Sequence, residues 1–232
     1  MKKLISFINE AHRKEYSLEN TKNKLYTEYS YKYFEYLNNN DKLGKAIEAT
    51  FKNINDNILR IMNDNHISSF INAKMISGII EHYLAAEMSN INGFTFEQGK
   101  ENSENKDICC KKINDKILEE DIFKDITEEL KFFSIELKCS TKKSSITGNK
   151  SYAIDKSEKS QKNKQSFYIL ITYDYSFDEN KNITIKLKTA YFGYIVQNDW
   201  IYGDTGNSSE LRINDLLHSD NNEKNNRIIQ II

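Results

Sequence analysis

A chain of 232 residues, 38% hydrophobic and 29% charged, with a net charge of −1, has an ordinary soluble globular composition and is long enough for one well-buried core. Its three cysteines are an odd number, and two of them, Cys109 and Cys110, are adjacent; that is no disulfide framework and points to a reducing, cytoplasmic location. The apolar run Leu4–Ile8 is too short for a signal peptide, and no stretch of about 18 apolar residues is present to span a membrane.

Residues 1 to about 62 read as helical. Tyr29, Tyr33, Tyr36 and Leu37 fall at helical spacing, which directs most of these rings into a core; a sharper alternative has some tyrosines meeting nucleic-acid phosphates. Asn38-Asn39-Asn40-Asp41 breaks the pattern. A second helix then runs roughly from Leu43 to Met62, with Ile47, Phe51, Ile54, Ile58, Leu59 and Ile61 on its apolar side. A third, from about Ser68 to Ser89, carries the clearest stripe: Ile71, Met75, Ile76, Ile79, Ile80, Tyr83 and Leu84. Glu81 sits nearly opposite that stripe beside Ser77, Gly78 and Ala85. Periodicity alone puts it in solvent, although its small neighbours leave room for a ligand or another backbone.

Asn92-Gly93 closes this helix. Phe94–Glu97 reads as a short strand, and Lys106-Asp107-Ile108-Cys109-Cys110 as another, led by an aspartate. Residues 116–130 fit a helical excursion. Phe132 to Ser140 is then an apolar strand in which Ile135, Leu137 and Cys139 face one way and Glu136 and Lys138 the other. Residues 141–164 read as a basic, Ser-rich loop with a short exposed helix near Asp155–Gln161; from Lys138 to Lys164 eight lysines face only Asp155 and Glu158. Phe167–Tyr173 is uninterrupted by polar residues and reads as a central strand covered on both faces. Ile183–Leu187 and Ala190–Val196 give two further strands, Asn198-Asp199-Trp200 opens a loop, and Leu211–Leu217 forms a short helix. The order is mixed α/β. We divide it into a helical region, residues 1–65, and a core, residues 66–232, within one compact unit.

The triplet Glu-x-Lys occurs four times, beginning at Glu104, Glu129, Glu136 and Glu179. The first and last lie in polar loops, and the second ends a helix, where the two groups do not face each other. Only Glu136-Leu137-Lys138 has strand formers before it. An acid and an ammonium on one face at the end of an apolar strand make a compact site for a divalent cation and a water. Asp107 is the best-placed partner acid; Asp115, Asp121 and Asp125 sit in turn or helical patterns. The four histidines are scattered without metal-ligand spacing, and there is neither a Gly-rich phosphate loop nor a G-x-S-x-G elbow.

This order of features resembles the PD-(D/E)xK nucleases, and more narrowly the type II restriction endonucleases. A helix bearing a glutamate (Ala73 to Glu81) precedes Asp107, then the strand with Glu136 and Lys138, then an apolar strand. Two departures stand out: Lys106 replaces the proline before Asp107, and the gap from Asp107 to Glu136 is longer than a plain hairpin needs. The resemblance implies a restriction-endonuclease-like mixed central sheet flanked by helices. It implies that Asp107, Glu136 and the Leu137 carbonyl bind Mg²⁺, with Mn²⁺ as a substitute. Lys138 would then orient or deprotonate the attacking water, with Glu81 in support. It also implies double-stranded DNA as substrate, in-line hydrolysis, and a homodimer for cutting a palindromic site. Lys142, Lys143 and Lys150 are the candidates for phosphate contacts. A structure-specific or repair nuclease of the same fold, and a catalytically silent DNA-binding protein, are the alternatives.

Overall fold

The computed structural model describes residues 20–91, 93–96, 107–110, 113, 115–124, 133–149, 166–202, 208–217 and 227–232. Helix α1 (Asn20–Leu37) ends at a break where Asn40 and Asp41 both take φ 58°. It is followed by α2 (Lys42–Asn53), a π-helical segment (Ile54–Leu59), α3 (Arg60–Asp64) and α4 (Ala73–Met88). Nine strands follow, β1 (Phe94–Phe96), β2 (Ile108–Cys110), β3 (Ile135–Ser140), β4 (Ser145–Asn149), β5 (Ser166–Phe177), β6 (Ile183–Ile195), β7 (Trp200–Tyr202), β8 (Ser208–Arg212) and β9 (Ile228–Gln230), among the described residues. Among the described residues two short α-helices interrupt them, α5 (Asp115–Leu118) and α6 (Ile213–Leu217).

Six strands form a mixed sheet in the order β1-β2-β3-β5-β6-β9, in which only β3 and β5 are parallel. A second sheet, β4-β8-β7, packs its apolar side chains, Ile146, Trp200 and Leu211, with Tyr168 and Leu170 of β5. Helices lie on the other face, where Ile76, Ile80 and Leu84 of α4 join Ile135, Leu137 and Ile169 in the main core. This is an α/β architecture of the restriction-endonuclease kind. Strand β5 is buried along most of its length because both faces are covered, which is why its sequence shows no alternation.

Most of the α1 tyrosines pack on the core, Tyr26 and Tyr36 partly buried against it. Tyr29 and Tyr33 are buried against Phe123, Phe133 and Phe167, and the Tyr33 hydroxyl donates to the Phe133 carbonyl at 3.0 Å. The apolar side expected for the second helix changes phase at the π-helical segment. Ile54 and Leu59, five apart, are buried, whereas Ile61 is exposed; the wider turn rotates everything after it. The same segment lets Asn55 reach β6, where its amide donates to the Ile185 carbonyl and accepts from the Ile185 N–H. Asn63 does the same for Ile183.

Other expectations also shift. The helix bearing Glu81 starts at Ala73, capped by Asn72, whose side chain accepts from Met75 N–H, and it ends at Met88, before Gly93 (φ 93°) turns the chain into β1. The strands read as separate, 183–187 and 190–196, are one long β6. Its register against β5 slips between Thr172 and Tyr173, and the extra residue, Lys188, interrupted the pattern. Part of the basic loop is β4, and 208–212 is a strand too, both short segments without an apolar run to announce them; 228–230, within Ile228-Ile229-Gln230-Ile231-Ile232, is a strand as well. The exposed helix expected near Asp155–Gln161 lies outside the described residues. Gly193 is where β9 crosses closest: a Cβ there would meet Arg227 O at 2.7 Å and Ile228 Cγ2 at 2.6 Å. Arg227, buried, pairs with the equally buried Asp199 at 3.0 Å and donates to Tyr194 O, tying β9 to the end of β6.

Candidate active site

The site forms where two neighbouring strands part. Strands β2 and β3 pair only at Ile108 and Ile135, and beyond that point no strand among the described residues pairs with this edge of β3. Alternate residues of a strand send their backbone groups to the same edge, here Leu137 and Cys139. Side chains bond to this edge. Asp107, at the start of β2, accepts from the Leu137 N–H through Oδ2 at 2.7 Å. Glu81 of α4 lies where the Cys139 N–H favours its charged form. The Leu137 carbonyl accepts from Lys138 Nζ at 3.0 Å, and the same ammonium lies 2.7 Å from Glu136 Oε1.

The alternation read from the strand holds: Glu136 and Lys138 share a face and pair there, with side chains 12% and 19% exposed. Glu81 is not in bulk solvent. Burial pushes its pKa up to about 7; Lys138 pulls it down, while Asp107 and Glu136 add to the rise. A carboxylate whose environment sets it apart from the acids beside it is a frequent mark of a functional site. Helix α4 is held in place by Tyr173, whose hydroxyl donates to Ala73 O at 2.8 Å, leaving the Ser77 hydroxyl to donate to it at 3.0 Å. Ser77 is one turn from Glu81 on the same side, so this anchor sets where the carboxylate points. Nothing in the run around Tyr173 marks it in advance, since Tyr168, Thr172 and Tyr175 carry hydroxyls in the same strand.

Asp107, Glu136, Lys138 and Glu81 therefore converge, together with the Leu137 carbonyl. Lys142 and Lys143 are exposed in the turn directly after β3, and the Lys142 N–H is held by Ser140 Oγ at 3.0 Å. Lys150 lies outside the described residues. Cys109, Cys110 and Cys139 form no disulfide. Desolvation, with Glu81 adding to it, raises the Cys139 thiol well above its ordinary pKa, the opposite of what a nucleophile needs.

The donors on offer to a cation are carboxylate and carbonyl oxygens, suited to a hard ion such as Mg²⁺. That a positive group is welcome is visible in the ammonium seated on Glu136 and Leu137 at once. Among the described residues no three His, Cys, Asp or Glu side chains close a metal cage, but Mg²⁺ is usually held by one or two carboxylates, water and substrate phosphate rather than by an all-protein cage.

A mixed sheet with acids and a lysine gathered at a strand edge defines the class, a restriction-endonuclease-like α/β protein. The chain belongs to the ScaI restriction endonuclease family, whose model matches residues 56–231. It is similar to the type II restriction enzyme ScaI of Streptomyces caespitosus, 28% identical over 81 residues, 34% of this chain. The match spans about a third, 35%, of that enzyme's length. No solved structure matches. No helix among the described residues is long and apolar enough to cross a membrane.

Proposed function

We propose that the chain is a type II restriction endonuclease that hydrolyses phosphodiester bonds of double-stranded DNA at a short specific site, with Mg²⁺ as cofactor and Mn²⁺ as its substitute. The observation that carries this reading is the convergence of Asp107, Glu136, Lys138 and Glu81 on one edge of β3, within the stretch that the family model matches. Asp107, Glu136 and the Leu137 carbonyl hold the ion. When bound it supplies Lewis-acid activation of a water and neutralisation of phosphate charge.

The protein's own groups do the rest. Asp107, clamped to the Leu137 N–H, is fixed relative to β3 before any ligand arrives, so little ordering remains to be done at binding. Lys138 orients the attacking water and offsets charge building on the phosphate in the transition state. Glu81, with its pKa near neutrality, is suited to pass a proton to or from a water near Lys138 at working pH. Lys142 and Lys143 meet phosphates of the same duplex and so position it without reading sequence. The reading places the protein in the cytoplasm, where the DNA and Mg²⁺ are, and makes it a homodimer, because a palindromic site presents two equivalent strands.

Incubating the purified chain with phage DNA and Mg²⁺ tests this. Discrete bands are expected, lost with EDTA or with Ca²⁺ in place of Mg²⁺. A smear would point to a nuclease without site preference, no cutting would refute the nuclease reading, and full activity in excess EDTA would refute the metal mechanism.

A further inference from the structure

Among the described residues five large apolar side chains stand in solvent: Ile61, Ile67, Phe70, Met75 and Phe177. They meet at one corner of the molecule. Asn63 binds the backbone of Ile183 on β6, Ile183 lies opposite Phe177 on β5, and Tyr173, on the same face of β5, holds Ala73 at the start of α4. The segment 65–72 therefore runs from the start of β6 to β5, with Ile67 and Phe70 on it, while Ile61 and Met75 flank it. Phe177 is on the helix side of the sheet, its ring 6.1 Å from that of Tyr175.

We infer that this corner is the surface through which two copies of the chain associate. Phe70 is 77% exposed and the other four are 43–54% exposed, which together presents on the order of 500 Å² of side-chain surface at about 200 Å² per large side chain. A standard interface takes about 800 Å² from each partner, somewhat over half of it apolar, so the patch matches the apolar share of one side. Its surroundings favour a protein over DNA. Exposed Asp64 and Glu179 balance exposed Arg60 and Lys74, and no excess of positive charge gathers phosphate there. Position favours a second copy over an unrelated protein. Strand β5 runs parallel to β3 and continues for residues 173–177 beyond the pairing of Ser140 with Thr172, so the corner projects past the end of the strand that carries the site. A two-fold axis through it sets each patch against the same patch of the other copy, so that one apolar surface completes both sides of the contact. The identity of the occupant rests on the nuclease reading; the surface itself does not.

Sedimentation of the metal-free protein at micromolar concentration, without DNA, reads the association alone. The wild-type chain should be a dimer, and Phe70→Asp and Phe177→Asp should each raise the dimer Kd at least tenfold while leaving the circular dichroism spectrum and Tm unchanged. Phe70→Ser serves if an aspartate variant fails to fold. On plasmid DNA the monomeric variants should nick one strand rather than cut both. A monomeric wild type, or a dimer indifferent to all these substitutions, overturns the inference. So does loss of DNA affinity with the dimer intact, which would make the corner a nucleic-acid surface. A dimer that dissociates as expected yet never cuts DNA refutes the nuclease reading and leaves the interface standing.

Discussion

The ammonium of Lys138 rests 2.7 Å from Oε1 of Glu136 and 3.0 Å from the Leu137 carbonyl, so one cation of the protein's own engages two of the oxygens assigned to Mg²⁺. Metal entry must move it. Lys138→Met should therefore bind Mn²⁺ more tightly than the wild type, several-fold by titration calorimetry, while cleaving no DNA. Equal or weaker binding would mean that the ammonium helps to hold the ion instead. Asp107→Ala and Glu136→Ala should also stop cleavage but keep DNA affinity, because repulsion between carboxylate and phosphate is relieved. Loss of binding and of fold in both would make these acids structural.

Glu81 links the site to stability. Its folded pKa is about 7 against an ordinary 4.5, so between those values the folded state holds a proton that the unfolded state has lost. The contribution is fully present below pH 4.5 and disappears as pH rises through 7. In metal-free buffer the protein should lose stability between pH 5 and 8, by at most about 3 kcal/mol from this group. Glu81→Gln should flatten that slope in denaturant titrations and lower the cleavage rate at least tenfold, about 1.4 kcal/mol of barrier. A variant with the same slope and the same rate would return Glu81 to an ordinary surface role.

The lysines of the turn after β3 act on affinity, not chemistry. Lys142→Ala or Lys143→Ala should weaken binding alike on cognate and unrelated duplexes and reduce the salt slope by about one unit each. An unchanged slope would leave these lysines merely solvated.

Two glycines should respond oppositely to alanine. At Gly78, exposed on α4, a Cβ meets nothing within 4 Å, so Gly78→Ala should stabilise the fold by about 0.5–1 kcal/mol through helix propensity. At Gly193 the backbone of Arg227 and Ile228 is in the way, and alanine should cost about 1–3 kcal/mol by forcing β9 away. Chemical denaturation of the two variants checks both signs.

How much of this was legible in the sequence follows from periodicity. The strand with Glu136 and Lys138, the aspartate leading β2 and the stripe on α4 each repeat over enough residues, or sit in a sharp enough context, to be read. Glu81 shows the limit. Its angle on the helix says only that it points away from Ile76 and Ile80, and whether solvent or a neighbouring strand lies there depends on where β2 parts from β3. Ile61 fails for a related reason, since a π-helical segment has no sequence signature and rotates every residue after it. Strands β4 and β8 have no apolar run of their own and acquire their state from the strands they pair with. Lys188 divided one strand into two in the sequence because an inserted residue reverses the alternation on either side.

The amides of Asn55 and Asn63 have a bearing on solubility. The half of β6 that β9 does not reach ends in backbone groups that would otherwise be open to any extended chain, the starting point for fibrils and for exchange of strands between molecules. The two side chains occupy those groups at Ile183 and Ile185, and because each amide both donates and accepts, it mimics a strand one residue long that cannot propagate. Removing both would leave the secondary structure in place and uncover a sticky border, so the first symptom would be aggregation during expression rather than a lost activity.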